Sequence, residues 1–316
     1  MKKSEKKIDL IIIGGGPSGL TAAIYAARSK LDFLLIEDGL IGGQIKQTYE
    51  VENYPGFIKI SGEELTDRIY EQAENLGAKI DEFDKILQVK LTDEEKIIET
   101  ENYIYKTTAV IIATGSKHRE LPIQEEKKFH GNGIHYCELC DAKMYEGKDI
   151  VVVGGGNSAL QGAMYLSKFA KTITIIHQFD TFQADKSNQE ELLKNPKVKV
   201  IFDSEIRHTL GEDNLEAVVI ENLKTRKKTV VKTDGVFVYI GMTPKTDLFK
   251  DYIKINRHGY IEAGESTETS VKGVFAAGDV RNKQIRQLTT AVGDGSVAAL
   301  MAEKYIVNHN KLLEEE

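Results

Sequence analysis

The only two cysteines of the chain, Cys137 and Cys140, lie three positions apart. Two sulfurs at this spacing at a helix start can close a small, reducible disulfide, and the helix N-terminus favours the thiolate form of a cysteine there. A single pair cannot form a stapling framework of disulfides. A zinc site would need two further ligands, and the nearby His130 and His135 precede the pair rather than following it at ligand spacing. The sequence therefore predicts a redox dithiol and no metal.

Two glycine-rich turns of the same pattern, at residues 14–19 and 154–159, lie on either side of the dithiol. Each follows an apolar run, opens a helical segment and leads to a second apolar run, which is the pattern of a βαβ unit. Glu37 ends the second apolar run of the first unit, and His177 follows the second apolar run of the second unit. Each lies 23 positions after the first glycine of its turn. This common register indicates an internal duplication. The expected strand, helix and strand are 8–13, 18–29 and 33–36 in the first unit, and 149–153, 158–169 and 172–176 in the second.

The two turns are candidate dinucleotide sites. In such a unit the glycines let a pyrophosphate approach a helix N-terminus, and a carboxylate at the second strand binds ribose hydroxyls. Glu37 fits the carboxylate role in the first unit. The candidate nucleotide site of the second unit comprises Gly154, Gly156, Asn157, Ser158, Ala159 and His177.

The second unit is predicted to be inserted into the first. Expected strands at 107–113 and 273–277, and a helix at 289–306, resemble parts of one outer domain split by the second unit. Glycine and proline near 116–118 and 241–244 mark the crossing points. The expected fold is α/β, with two Rossmann-like, dinucleotide-binding domains. The outer domain comprises 1–116 and 244–316, and the inserted domain, which carries the dithiol, comprises 117–243.

Bulk properties exclude some function classes. The chain has 316 residues and a formal net charge of −7, which argues against nucleic acid as a partner. Its apolar runs are too short to span a bilayer. The basic N-terminus precedes an apolar stretch that is interrupted by Asp9 and has no cleavage site after it, so no signal peptide and a cytoplasmic protein are expected.

A set of motifs in a fixed order resembles the low-molecular-weight thioredoxin reductases. These motifs are residues 13–20, 42–44, 51–57, 113–115, 137–141, 276–280 and 286–287. The resemblance covers nearly the whole chain. It implies FAD in the outer domain, an inserted pyridine-nucleotide-binding-like domain, and a homodimer. The implied FAD-binding residues are Gly14, Gly16, Pro17, Ser18, Gly19 and Glu37 for the ADP half, Gly43, Gln44, Asn53, Asp279 and Gln287 near the ribityl chain and isoalloxazine, and also Ala113, Thr114, Gly115, Gly278 and Arg286.

The same resemblance implies roles around the dithiol. Cys140 is the sulfur nearer the flavin, and Asp141 is the acid that carries a proton between flavin and thiol. The sequence does not decide which sulfur attacks the partner disulfide. One departure is the dipeptide Glu138-Leu139, where the family usually carries small uncharged residues. A carboxylate there disfavours a neighbouring thiolate, so the redox poise or the substrate is expected to differ.

The second departure concerns the electron donor. Members that use NADPH carry arginines for the 2′-phosphate, whereas residues 177–184 contain none and Asp180 adds a negative charge. Two lost charge-assisted hydrogen bonds, at about 1.5–3 kcal/mol each, weaken NADPH by roughly a hundredfold or more. NADPH-selective use is therefore disfavoured. NADH or unselective NAD(P)H is the favoured donor, and reduced ferredoxin or another non-nicotinamide donor is the alternative.

The expected function is an FAD-dependent thioredoxin-disulfide reductase. Electrons pass through FAD and the Cys137–Cys140 disulfide to thioredoxin or a thioredoxin-like protein. Two rivals stay open at this point. One is a flavin oxidase or peroxiredoxin-feeding reductase, and the other is a flavin-bound redox sensor.

Overall fold

The computed structural model describes residues 3–47 and 51–315, without the side chains of Gln47, Leu139, Cys140 and residues 313–315. The chain forms two compact units. The first comprises the residues up to Lys117 and those from Thr243, and the second runs from His118 to Met242. Each crossing lies one residue from the expected position. No helix within the described ranges is long and apolar enough to cross a membrane.

The first unit is built on a seven-stranded sheet in which β2, β1, β6 and β17 run parallel. The hairpin β4–β5 continues the sheet antiparallel to β6. Two short strands at the crossings, β7 and β16, pair with each other. The elements are β1 (Ser4–Ile13), α1 (Pro17–Arg28), β2 (Phe33–Glu37), α2 (Gly62–Asn75), β3 (Ile80–Glu82), β4 (Ile86–Leu91), β5 (Lys96–Thr100), β6 (Tyr103–Ile112), β7 (Ser116–His118), β16 (Met242–Pro244), β17 (Val274–Ala276) and α7 (Leu288–Glu315), with 3₁₀ turns at Gly43–Gln47 and Gly278–Val280.

The sheet of the first unit is buried on both faces. Successive residues of β1 alternate between two apolar clusters: Leu10 and Ile12 pack with residues of α1 and α7, whereas Ile11 and Ile13 pack with Phe249 and its neighbours. A continuous β-branched run is the sequence that such a doubly covered parallel strand needs. The loops at the carboxyl ends of β1, β6 and β17 are thereby held at one edge.

The second unit repeats the design on a smaller scale. Its parallel sheet has the order β11-β10-β9-β15-β8, and a separate antiparallel sheet has the order β12-β13-β14. Residues of β9 also alternate between two buried clusters, Ile150 and Val152 in one and Val151 and Val153 in the other. The elements are α3 (Glu126–Phe129), β8 (Ile134–His135), α4 (Glu138–Asp141), β9 (Asp149–Val153), α5 (Asn157–Leu166), β10 (Thr172–Ile176), α6 (Lys186–Leu193), β11 (Val198–Ile201), β12 (Ser204–Leu210), β13 (Ala217–Asn222), β14 (Lys228–Lys232) and β15 (Gly235–Val238), with a 3₁₀ turn at Ala142–Tyr145.

The predicted α/β class and both βαβ units are confirmed. The strands 149–153 and 172–176 have the expected bounds. Other elements differ in length from the prediction: β1 and β6 begin four residues earlier than expected, and α7 extends nine residues beyond Ile306. Helix α5 ends at Leu166 instead of at 169, because the last turn tightens after Ser167.

Candidate functional site

The first glycine turn connects β1 to α1 at the carboxyl end of the sheet. Gly14 has a φ of +108°, and a Cβ there would lie 2.5 Å from the carbonyl oxygen of Ala113. Only glycine therefore fits where β1 and β6 end side by side. Gly16 is the N-cap of α1, Pro17 is its first residue, and no side chain in the described ranges caps the helix. This uncapped helix N-terminus at a strand end can receive a phosphate group.

Glu37 is tied to the same turn. Its Oε2 accepts a hydrogen bond from the backbone N–H of Gly15 at 2.6 Å, and its Oε1 accepts one from Gly39 at 3.1 Å. Burial raises the pKa of Glu37, against the opposing effect of the Gly15 hydrogen bond. The carboxylate therefore stands next to the helix N-terminus of the first unit.

The ends of β6 and β17 bring other predicted residues to this edge. Ala113, Thr114 and Gly115 directly follow β6, and the Thr114 hydroxyl donates to the carbonyl oxygen of Lys245 at 2.8 Å. Gly278 and Asp279 follow its parallel neighbour β17 through Ala277. A Cβ on Gly278 would lie 2.9 Å from the Cβ of Ser18, so the two segments are in close contact.

Five other predicted residues are engaged in contacts of their own. The Gln44 amide donates to the carbonyl oxygen of Ser116. The Asn53 amide donates to Oε1 of Gln287 at 3.4 Å. The Arg286 guanidinium lies 4.0 Å from the centre of the Tyr260 ring, a cation–π distance. Gly43 lies opposite Gly16, since a Cβ on Gly43 would be 3.1 Å from the Gly16 Cα.

The dithiol segment lies in the second unit. Cys137 occupies the N-cap position of α4 and is disulfide-bonded. The side chain of Cys140 lies outside the described part of the chain. The Asp141 backbone N–H donates to the carbonyl oxygen of Cys137 at 3.2 Å, and an Asp141 carboxylate oxygen lies 3.1 Å from Nδ1 of His135. Thiol chemistry and an acid are thus combined in one short helix.

The unusual Glu138 has a buried partner. The Tyr239 hydroxyl donates to Glu138 Oε2 at 2.7 Å. Burial, and next the Glu138 charge, raise the pKa of Tyr239 well above its ordinary value. Gly162 of α5 makes room for this ring, because a Cβ at position 162 would lie 2.8 Å from the Tyr239 Cζ. The Glu138 carboxylate and Gly162 therefore meet at one tyrosine.

The second glycine turn places a carboxylate near its helix. Gly156 is the N-cap of α5 and Asn157 its first residue, followed by exposed Ser158 and buried Ala159. The Asn157 side-chain Oδ1 accepts from the Asp185 backbone N–H at 2.8 Å, and the Asn157 Nδ2 donates to Asp185 Oδ2 at 3.1 Å. A negative charge therefore stands beside the first residue of α5.

His177 takes the position that Glu37 has in the first unit. Its side chain is buried among the rings of Phe179, Phe182 and Phe202, at centroid distances of 5.4, 6.0 and 6.4 Å. Burial lowers the pKa of His177, which contacts of Gln183 and the Thr181 backbone partly oppose. Its Nε2 atom has no hydrogen-bond partner among the described residues.

Comparisons with known proteins agree with this geometry. Residues 8–295 match the family described as pyridine nucleotide-disulphide oxidoreductase. The chain is 44% identical over 309 residues to a thioredoxin reductase of Peptoclostridium acidaminophilum, covering 96% of this chain and 98% of that one. The chain belongs to the low-molecular-weight thioredoxin reductase family. The thioredoxin reductase structure from Streptococcus pyogenes is 40% identical, with a TM-score of 0.84 and coverage of 96% and 99%.

Another relative in this family matches more strongly in sequence. The "34.2 kDa protein in rubredoxin operon" of Clostridium pasteurianum is 63% identical over 304 residues, which are 96% of this chain and 99% of that protein. The thioredoxin reductase resemblance and the two-domain Rossmann-like fold are thereby confirmed. The chain is a thioredoxin-reductase-like flavoenzyme, an FAD-dependent oxidoreductase, and its family implies FAD and a nicotinamide nucleotide.

The residues of the first unit of this chain fit FAD. Three buried polar atoms at or near its carboxyl edge have no hydrogen-bond partner among the described residues: Ser18 Oγ, Asp279 Oδ1 and Arg286 Nε. Burial raises the pKa of Asp279, which the charges of Lys283 and Arg286 oppose. Buried polar atoms are normally hydrogen-bonded, so these atoms suit a polar ligand.

Several residues of the site were not predicted. Lys283 lies 3.0 Å from Asp294 and 3.6 Å from Asp279, and Arg281 also pairs with Asp294 at 2.8 Å. Asp294 is the only charged residue from Leu288 to Ala302, a signal that could have found it. Lys224, which lies 3.0 Å from Asp203 and 3.6 Å from Asp180, is a cation of the second unit that sequence reasoning missed. His135 was considered only as a zinc ligand. No cluster in the described ranges holds three potential metal ligands.

Proposed function

We propose that the chain reduces the disulfide of thioredoxin or of a thioredoxin-like protein, with electrons that pass from FAD through Cys137 and Cys140. The observation that carries this proposal is the disulfide bond of Cys137 at the start of α4. Cys140 is the only other cysteine of the chain. Relatives named thioredoxin reductases support thioredoxin as the substrate.

The first unit would hold FAD, which, when bound, supplies the electron pair that reduces a disulfide. The N-terminus of α1 would receive the pyrophosphate, and Glu37 would bind ribose hydroxyls. The other proposed FAD-binding residues are Gly14, Gly16, Pro17, Ser18, Gly19, Gly43, Gln44, Asn53, Ala113, Thr114, Gly115, Gly278, Asp279, Arg286 and Gln287.

Asp141 is the proposed proton donor. Breaking the Cys137–Cys140 bond takes up two electrons and, for two thiols, two protons. Asp141 belongs to the same short helix as the dithiol segment and has a carboxylate oxygen in contact with His135. Its proton would pass to one sulfur, and the other sulfur would stay a thiolate until it is protonated or attacks the partner.

Two electron donors are candidates. The family implies a nicotinamide nucleotide, and the absence of arginines from residues 177–184 favours NADH or unselective NAD(P)H over NADPH. The geometry of the second turn favours the other candidate, reduced ferredoxin or another non-nicotinamide donor. Buried His177 offers no negative charge to a ribose, and the Asp185 carboxylate beside Asn157 repels a pyrophosphate at the N-terminus of α5.

Anaerobic titration of the purified flavoprotein separates the donors. NADH, NADPH and reduced ferredoxin are added in turn while flavin bleaching is followed. Bleaching by ferredoxin alone supports the non-nicotinamide donor, and bleaching by NADH at least as efficient as by NADPH supports the nicotinamide donor. A preference of tenfold or more for NADPH would contradict both.

The dithiol is tested by Cys140→Ser. We expect this variant to keep about one FAD per chain and to lose thioredoxin reduction, because the proposed flavin residues lie outside the 137–141 segment. Thioredoxin turnover is measured with FAD reduced chemically, so that the result does not depend on the donor. Near-normal turnover in Cys140→Ser would refute the dithiol pathway.

The same assay distinguishes the rivals. Oxygen consumption without a disulfide substrate would indicate a flavin oxidase, turnover only with a peroxiredoxin system would indicate a peroxiredoxin-feeding reductase, and no steady-state turnover would indicate a sensor. We also propose a homodimer, on the family resemblance alone, which sedimentation of the FAD-loaded protein checks.

A further inference from the structure

His135 lies in a closed environment beside the dithiol segment. Only 3% of its surface is exposed, and its ring stacks on Phe237 of the adjacent strand at 5.3 Å. The chain turns back after α4, so that Tyr145 packs edge-on against the same imidazole at 5.2 Å. Both ring nitrogens therefore meet groups from the segment that follows the cysteines.

The hydrogen bonds define one tautomer of this imidazole. The Gly133 backbone N–H points to Nε2 at 3.4 Å, so Nε2 is an acceptor. The Tyr145 hydroxyl lies 2.6 Å from the same nitrogen, and in the tautomer whose Nε2 accepts, this hydroxyl is the donor. The proton of the neutral ring is then on Nδ1, which lies 3.1 Å from Asp141 Oδ2 and donates to the carboxylate.

We propose that His135 is a positioning residue that orients Asp141 and stabilises its ionised form during disulfide reduction. This inference rests on the proposed function, in which Asp141 donates a proton. When the Cys137–Cys140 bond takes up two electrons and breaks, one sulfur takes the proton of Asp141 and the other leaves as a thiolate. The carboxylate that remains accepts the His135 Nδ1–H, and solvent later returns a proton to Asp141. A carboxylate that fixes an imidazole tautomer is a common pairing, and here the imidazole in turn fixes the carboxylate.

Other charged and titratable groups face this pair. Tyr145 lies between the charges of Asp141 and Asp234, and burial followed by these charges raises its pKa. Tyr239 interacts with both Glu138 and Asp141. Asp141 contacts the buried imidazole directly, whereas Asp234 and Glu138 act on Tyr145 and Tyr239, so a pH effect assigned to His135 has to be separated from the effects of these carboxylates.

The test compares His135→Leu with His135→Asn in the full-length FAD-loaded protein. Leu removes the donor to Asp141, whereas an Asn amide supplies an N–H close to the Nδ1 position. We expect His135→Leu to lower kcat for thioredoxin about tenfold with KM changed less than about twofold. The alkaline limb of its pH–rate profile moves up by about one unit, because the carboxylate loses a stabilising donor. His135→Asn keeps the limb within about 0.3 units and the rate within about threefold.

His130→Leu is the matched control. His130 also bonds a carboxylate through Nδ1, Glu126 at 2.9 Å in the same unit, but this pair does not contact Asp141. The control should leave the pH profile unchanged. Equal effects in His130→Leu and His135→Leu, or a loss in His135→Leu that is uniform across pH, would overturn the positioning role.

A second measurement is independent of thioredoxin turnover. Nitrogen NMR of histidine-labelled protein, with the His135 signal assigned from its loss in His135→Asn, should show a protonated Nδ1 and an unprotonated Nε2. The opposite tautomer would overturn the inference even if thioredoxin is reduced. The expected tautomer together with no thioredoxin turnover in the wild-type protein would instead count against the proposed function.

Discussion

The two βαβ units keep the same turn and differ in what stands beside it. In the first, the Glu37 carboxylate accepts the Gly15 N–H at 2.6 Å next to an uncapped helix. In the second, His177 is packed among phenylalanines, and Asn157 at the helix start is bonded to Asp185. The glycines at both turns are explained by the close packing of strand against helix. The strand-end residue and the charges near the helix therefore indicate the ligand better than the glycines do.

The largest expected difference concerns FAD retention. Glu37→Leu should weaken FAD on the order of a hundredfold, because two charge-assisted hydrogen bonds to ribose hydroxyls are lost at about 1.5–3 kcal/mol each. The matched change His177→Leu should leave FAD binding unchanged. Both are measured as FAD released on dilution. If the two variants released FAD equally, the proposed assignment of FAD to the first turn would be wrong.

The next prediction concerns the nucleotide preference of the second unit. Replacing Gln178 and Phe179 together by Arg should raise NADPH efficiency relative to NADH about tenfold or more in stopped-flow reduction of FAD, since guanidinium groups bind the 2′-phosphate. The same positions replaced by Glu serve as the control and should not help NADPH. An Arg variant that responds to neither nucleotide would place the non-nicotinamide donor first.

A smaller effect is expected in the two helices. Helix α1 carries buried Ala22 where α5 carries Gly162. Gly162→Ala should destabilise the protein by about 1–2 kcal/mol in denaturant unfolding, because the added Cβ meets the Tyr239 ring. Gln161→Ala, on the exposed side of the same helix, should be neutral or slightly stabilising. Equal stability of the two variants would show that the Tyr239 ring can move aside.

The smallest effect is a pH dependence of opposite sign in the two units. The pKa of His177 is lowered from 6.5, so its contribution to stability is present above that value and is lost as the pH falls. The pKa of Glu37 is raised from 4.5, so its contribution is present below that value and is lost as the pH rises. His177→Gln should therefore reduce the loss of stability from pH 7 to pH 5 by less than about 1 kcal/mol. Burial also lowers the pKa of His118, so part of the loss of stability from pH 7 to pH 5 remains in the His177→Gln variant. An unchanged slope in His177→Gln would show that His177 is hydrated in the folded state.

Sequence reasoning found the elements that consist mainly of β-branched residues. The β9 and β10 bounds followed directly from such runs. It missed the end of α7, because most residues after Ile306 are polar and the apolar Val307 and Leu312 are exposed, so this stretch carries no burial pattern. It singled out Glu37 and the two cysteines, since the position of Glu37 after the first turn and the spacing of the cysteines at a helix start can be read from the sequence alone.

Contacts between residues far apart in sequence could not be predicted in this way. Tyr239 and Glu138 are 101 positions apart, and nothing local links them. The sequence shows the Glu138-Leu139 departure, but it gives no reason to connect it with Gly162 of helix α5. Only the folded second unit joins them through one phenol ring.

The split of the first unit has a consequence for synthesis on the ribosome. The second unit possesses all its residues once Met242 has emerged, whereas the first still lacks β17 and α7. Until then the 110–112 end of β6, which later pairs with 274–276, is an open apolar edge. The unit whose translation starts first is thus completed last. Until β17 is synthesised, this edge of β6 is where the nascent chain most needs protection from aggregation, by a chaperone or by separation from neighbouring chains.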